Sequence, residues 1–153
     1  MIPLPHQNES EHRYHKRLRA YWEHLRGSRP FPSENEIEPD DLEEIWPSCF
    51  LISIDNVTHR LGYRYSYLGA DLMEAYGCDS GNADIAGQML STSDLPTVKK
   101  FDDIRQIKKP LLDESEFVNA KNVTIKYRAI LVPLGYEDGQ VSHILGCMRW
   151  AIG

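Results

Sequence analysis

Near the start of the chain, apolar residues fall at Tyr14, Leu18, Tyr21, Trp22 and Leu25. These positions trace one stripe on a 3.6-residue period. Charged residues Arg13, Lys16, Arg17, Arg19, Glu23 and Arg26 fill the other faces, and Gly27 then Pro30 supply a stop. The pattern predicts a helix over 9–26. A lone helix of that length is marginal in water, so its stripe has to be buried against something.

The next stretch, "RPFPSENEIEP", carries Pro30, Pro32 and Pro39 and reads as an extended or turning arm. "PDDLEEIW" reads as a short helix with acids in its first turn, stopped by Pro47. From there the period becomes two. "SCFLISID" (48–55) is a β-favouring run ending in the turn pair Asp55-Asn56, and 59–69 sets Leu61, Tyr63, Tyr65 and Tyr67 against Arg60, Arg64 and Ser66. Together they predict an antiparallel hairpin. "ADLMEAYG" gives one or two helical turns ended by Gly77, and the turn-rich run from Cys78 to Leu90 reads as loop. A second helix is predicted over about 94–108 from Leu95, Val98, Phe101 and Ile104.

Three strands follow: 111–122, 123–134 and 141–152, the last two joined at Asp138-Gly139, a tight-turn signal. Two strands, a helical insert and a three-stranded meander make an α+β plan with a five-stranded antiparallel sheet. The insert can cover one face of that sheet. The N-terminal stripe is the candidate cover for the other, either within the chain or across a homodimer.

At 153 residues the chain fits one domain with an N-terminal extension, divided here as 1–46, helix and arm, and 47–153, the folded unit. A net charge of −6 argues against a nucleic-acid binder, and no run reaches the length of a membrane span. Three cysteines, Cys49, Cys78 and Cys147, form no C-x-x-C pair and read as reduced thiols of a cytoplasmic protein. Charge is uneven: six Lys/Arg against two Glu between Glu11 and Arg29, then seven acids and no base between Ser33 and Glu44. The two segments can neutralise each other within one chain or between two, or remain solvated surfaces.

The motifs Tyr21-Trp22, Leu25-Arg26-Gly27, Pro32-Ser33, Ile37-Glu38-Pro39, Tyr65 to Gly69, Pro133-Leu134, Asp138-Gly139 and Ile144-Leu145-Gly146 fall in the order of a bacterial family of short PAS-domain proteins, which the chain resembles over roughly 14–148. The resemblance implies the PAS fold: short helices on one sheet face and an additional N-terminal helix. It also implies a non-enzymatic sensory or regulatory role through protein–protein contacts. The flavin-type signature of some PAS domains, a reactive cysteine in Asn-Cys-Arg-Phe-Leu-Gln, is absent here.

No nucleophile elbow or phosphate loop is present, and no catalytic residue is assigned. Glu11, His12 and His15 lie within one helical turn but read as a solvated face, so no metal is expected. For a ligand wall the candidates are Tyr65, Tyr67, Met73, Tyr76, Phe101, Arg128, His143 and Cys147, joined by Tyr63, Met89 and Trp150. Each has a plainer reading as core or as an outward strand residue. No cofactor is fixed by the sequence. The expected partners are a second copy or an unidentified signalling protein gripping Tyr14, Leu18, Tyr21, Trp22 and Leu25, with a small molecule in the cavity. The alternative is a small-molecule enzyme on a PAS-like α+β half-barrel, with a pocket acid or histidine as general base, which a buried carboxylate beside His143 would favour. A DNA-contacting helix at 13–29 is disfavoured by the acids next to it.

Overall fold

The computed structural model describes residues 7–57, 60–77 and 96–153. Helix α1 spans Gln7–Arg26 and closes on Gly27, whose φ of +58° is the left-handed conformation that ends helices. The arm contains two 3₁₀ turns, Glu34–Glu36 and Pro39–Leu42, and a third at Trp46–Ser48 leads into the sheet. The expected short helix at 39–46 is therefore replaced by tight turns, and Pro47 lies within the last of them. Strands β1 (Cys49–Val57), β2 (Arg60–Leu68), β3 (Leu111–Val118), β4 (Thr124–Gly135) and β5 (Val141–Ile152) form one antiparallel sheet in the order β2-β1-β5-β4-β3. Helices α2 (Ala70–Ala75) and α3 (Pro96–Ile107) lie between β2 and β3 in sequence.

The fold class is α+β, as expected. Asp55 and Asn56 prove to be strand residues paired with Gly62 and Leu61, so β1 continues past the anticipated turn. The connection falls at 58–59, outside the described residues, as do the Cys78–Leu90 loop and Met89. After β3, Asn119 shapes the turn: its Oδ1 accepts the backbone N–H groups of Lys121 and Val123 at 2.9 and 3.0 Å.

The sheet is apolar on both faces. The inner face packs Phe50, Ile52, Ile125, Tyr127, Ala129, Leu131, Ile144 and Met148 against Leu72, Ala75 and Tyr76 near α2 and Phe101 and Ile104 of α3. Phe50 lies directly over Gly146, where a Cβ would come within 2.2 Å of the ring. The outer face packs Cys49, Leu51, Ile130, Val132, Leu134, Leu145 and Cys147 against Leu18, Tyr21 and Trp22 of α1.

That second layer answers the question raised by the N-terminal stripe. It covers its own sheet. Leu18 is fully buried and Trp22 is 3% exposed, with its indole N–H donating 2.7 Å to the carbonyl of Pro133 on β4. Tyr14 and Leu25 pack at the edges of the same layer, and the Tyr21 hydroxyl accepts the Glu38 N–H at 2.9 Å. The neighbouring segments of opposite charge also meet within the chain. Arg17 pairs with Glu44 at 2.6 Å, and Arg29 grips Glu36 with two nitrogens at 2.7 and 2.9 Å. Within the chain, Leu18, Tyr21 and Trp22 of the stripe are thus buried against the sheet.

Candidate functional site

The inner layer carries the aromatic candidates. Tyr65 on β2 and Tyr76 after α2 join through their hydroxyls at 2.8 Å. Phe101 approaches Phe50 and Tyr63 with ring centroids 6.4 and 5.2 Å apart, and Tyr76, Phe117 and Tyr127 continue the series at 5.1 and 5.9 Å. Met73 and Trp150 pack at the margin of the layer, and the Trp150 indole donates to the Asp71 carbonyl at 3.1 Å.

Within this apolar layer lies a carboxylate the sequence reading did not single out. Asp113 on β3 is 3% exposed and accepts a 2.8 Å hydrogen bond from the Tyr127 hydroxyl. Burial pushes the Asp113 carboxyl above its ordinary value, opposed by the Tyr127 hydrogen bond and by the charge of Lys100 on α3. Burial also raises the Tyr127 phenol, helped by the Asp113 charge, so it remains a donor at neutral pH. Two polar pairs, phenol–phenol and phenol–carboxyl, therefore stand among seven aromatic rings, Phe50, Tyr63, Tyr65, Tyr76, Phe101, Phe117 and Tyr127, contributed by strands and by the two helical segments.

Four of the proposed wall residues lie elsewhere. In the β1–β2 pairing the register slips between Leu51 and Ile52: Leu51 pairs with Tyr67, but Ile52 pairs with Tyr65. The extra residue, Ser66, turns Tyr67 to the outer face. There it stacks on Trp46 at 4.5 Å, and its hydroxyl donates to the Trp46 carbonyl. Cys147 is also on the outer face, opposite Cys49 under α1. Contact with Cys147 and then burial hold the Cys49 thiol well above its ordinary pKa, which keeps it protonated and unreactive. Arg128 faces outward and pairs with Glu114 at 3.4 Å.

His143 lies on the outer face too, opposite Leu134, with Nδ1 2.8 Å from the Ser142 hydroxyl. Burial lowers its pKa below 6.5 against the opposing charges of Glu34 and Asp55. The folded chain therefore binds fewer protons here than the unfolded chain just below pH 6.5, and stability falls as pH drops through that value. His143→Gln should flatten this acid limb. Urea midpoints between pH 7.5 and pH 5.5 that decline equally in both proteins would contradict the assignment.

Among the described residues, no cluster of three His, Cys, Asp or Glu side chains could hold a metal, and no helix is long and apolar enough to cross a membrane. The side chains of Glu11 and His12 lie outside the described residues.

The model of the PAS domain family matches residues 10–149, from within α1 into β5. The chain belongs to the PAS domain family. Among solved structures, this PAS domain is similar to a light-oxygen-voltage domain studied with a flavin analogue (13% identity, TM-score 0.51, 68% of this chain and 77% of that one). It also resembles the blue-light photoreceptor Aureochrome1 LOV in its dark state (10%, 0.52, 72% and 79%) and the PAS domain of the fruit-fly ELK potassium channel (15%, 0.51, 74% and 96%). At such identities the likeness is one of fold. No curated protein matches the chain.

Proposed function

We propose that this PAS domain is a non-enzymatic regulatory module, sensing a small ligand in its inner layer and signalling through surface contacts with a signalling protein or a second copy. Residues 47–153 form the sensing unit in this reading, and residues 1–46 its outer cover. The supporting observation is the pairing of Tyr65 with Tyr76 and of Tyr127 with Asp113 inside an otherwise apolar layer. A few placed polar groups among aromatic walls are what small-molecule sites use. Tyr65, Met73, Tyr76 and Phe101 remain the proposed contacts, and Asp113 and Tyr127 join them. Tyr67, Arg128, His143 and Cys147, on the outer face, take no part.

A buried acid beside His143 would favour the enzyme alternative. Asp113 is buried, but it belongs to the inner layer and His143 to the outer face. An acid and a base on opposite sides of a sheet cannot act on one substrate atom, which favours regulation over catalysis. Native mass spectrometry of freshly purified protein tests the reading. A retained small molecule, lost in Tyr76→Phe and Asp113→Asn variants that still fold, is the expected result. Bare polypeptide mass in the parent, with no molecule from a cell extract shifting its thermal midpoint, would refute it.

A further inference from the structure

A surface concavity lies well outside the inner layer. It is a surface cleft of about 460 Å³ between the proline-rich arm and the β4–β5 hairpin, lined by Arg29, Pro30, Phe31, Glu36, Tyr136 and Glu137 among others. Its walls are fixed. The Gly135 N–H donates 3.0 Å to the Pro32 carbonyl, tying hairpin to arm. Phe31 is buried in the outer core, and the Ser33 N–H donates 2.9 Å to Glu36. A volume of this size falls within the range of sites that accept a side chain or a small molecule.

The state of Arg29 determines which charge the cleft can accept. Its guanidinium donates to both oxygens of Glu36 and to the carbonyls of Leu25 and Arg26, at 2.6–3.1 Å. An incoming carboxylate or phosphate would have to displace Glu36 from a two-pronged pair. Arg29 and Glu36 neutralise each other, and Glu137, whose charge also reaches Arg29, leaves the charged lining with an excess of one negative charge. Glu137 stands exposed on the wall, the arm beside it holds the acids of 33–44, and Tyr136 projects at the rim with 59% of its surface exposed. Exposed tyrosine faces attract cations, and tyrosine recurs where partner residues anchor.

We propose that this cleft docks a basic peptide segment of a partner protein, an arginine or lysine stacking on Tyr136 and pairing with Glu137 while a neighbouring apolar side chain rests on the exposed Pro30. The inference stands independently of any ligand in the inner layer.

Fluorescence anisotropy of the full chain with a labelled peptide alternating leucine and arginine provides the test. The arginine peptide is expected to bind at low salt, whereas the same peptide with glutamate for arginine should not. Tyr136→Ala and Glu137→Gln should each weaken binding about fivefold. Both side chains are exposed, so the variants should keep the parent's thermal midpoint. Glu116→Gln, an exposed acid on β3, should leave binding unchanged. Absence of binding, or binding that all three variants weaken alike, would overturn the proposal; the latter would mean diffuse attraction to an acidic surface.

Discussion

Deletion of residues 1–30 should turn a dispersed, cooperatively folding protein into one that aggregates and binds hydrophobic dyes. The deletion removes Leu18, Tyr21 and Trp22 and exposes Leu51, Ile130, Val132, Leu134 and Leu145 on the sheet's outer face. Burying each large side chain contributes about 1.5–3 kcal/mol, so the α1 layer is comparable to the whole net stability of about 5–15 kcal/mol typical of a domain. A milder probe of the same contact is Trp22→Ala. It leaves a cavity and an unpaired Pro133 carbonyl, and a loss of about 3–5 kcal/mol is expected from urea unfolding. Light scattering that showed the truncated chain soluble, unaggregated and as resistant to urea as its parent would mean that α1 is an ornament rather than half of the core.

The α1 stripe was legible because a 3.6-residue period leaves one reading of which side is apolar, and only its partner was open. The strands gave less. β5 is buried on both faces, so Ile144, Met148 and Trp150 at one parity are as apolar as Leu145 and Cys147 at the other. Alternation alone does not tell which set faces the insert, so it leaves open whether the set with His143 and Cys147 lines the inner layer or the outer one. In β2 the alternation of Tyr63, Tyr65 and Tyr67 is unbroken in sequence, yet the extra residue at Ser66 sends Tyr67 outward. Such a slip is a property of the pairing, invisible in one strand. Asp113 was hidden differently. "LLDESEFV" offers apolar ends at both parities, Leu111 with Phe117 and Leu112 with Val118, and its acids resemble a solvated run. The structure buries the first set's Asp113 and Phe117 and leaves Leu112 and Val118 exposed.

Tyr127→Phe tests the pair that sequence could not supply. The substitution keeps the ring and its packing against Phe117 but removes the donor that faces the Asp113 carboxylate. Losing a hydrogen bond to a buried charged group should cost about 1.5–3 kcal/mol at neutral pH. The sign of its pH dependence follows from the Asp113 shift. Burial already raises the carboxyl above its ordinary 3.8, and the Tyr127 bond acts in the opposite direction, so its loss raises the folded value further. A folded state that holds its proton to higher pH than the unfolded chain loses stability as pH rises from about 3.8 through the folded value. The deficit of Tyr127→Phe against the parent should therefore be greatest near pH 7 and shrink on acidification toward pH 4, as Asp113 takes up its proton. Adding Asp113→Asn to Tyr127→Phe removes the buried charge altogether and should restore much of the loss at pH 7, leaving little pH dependence from this site. Urea midpoints at the two pH values separate this from plain repacking. An equal deficit at both, or no recovery with asparagine, would show that the phenol fills space and does not hold a carboxylate.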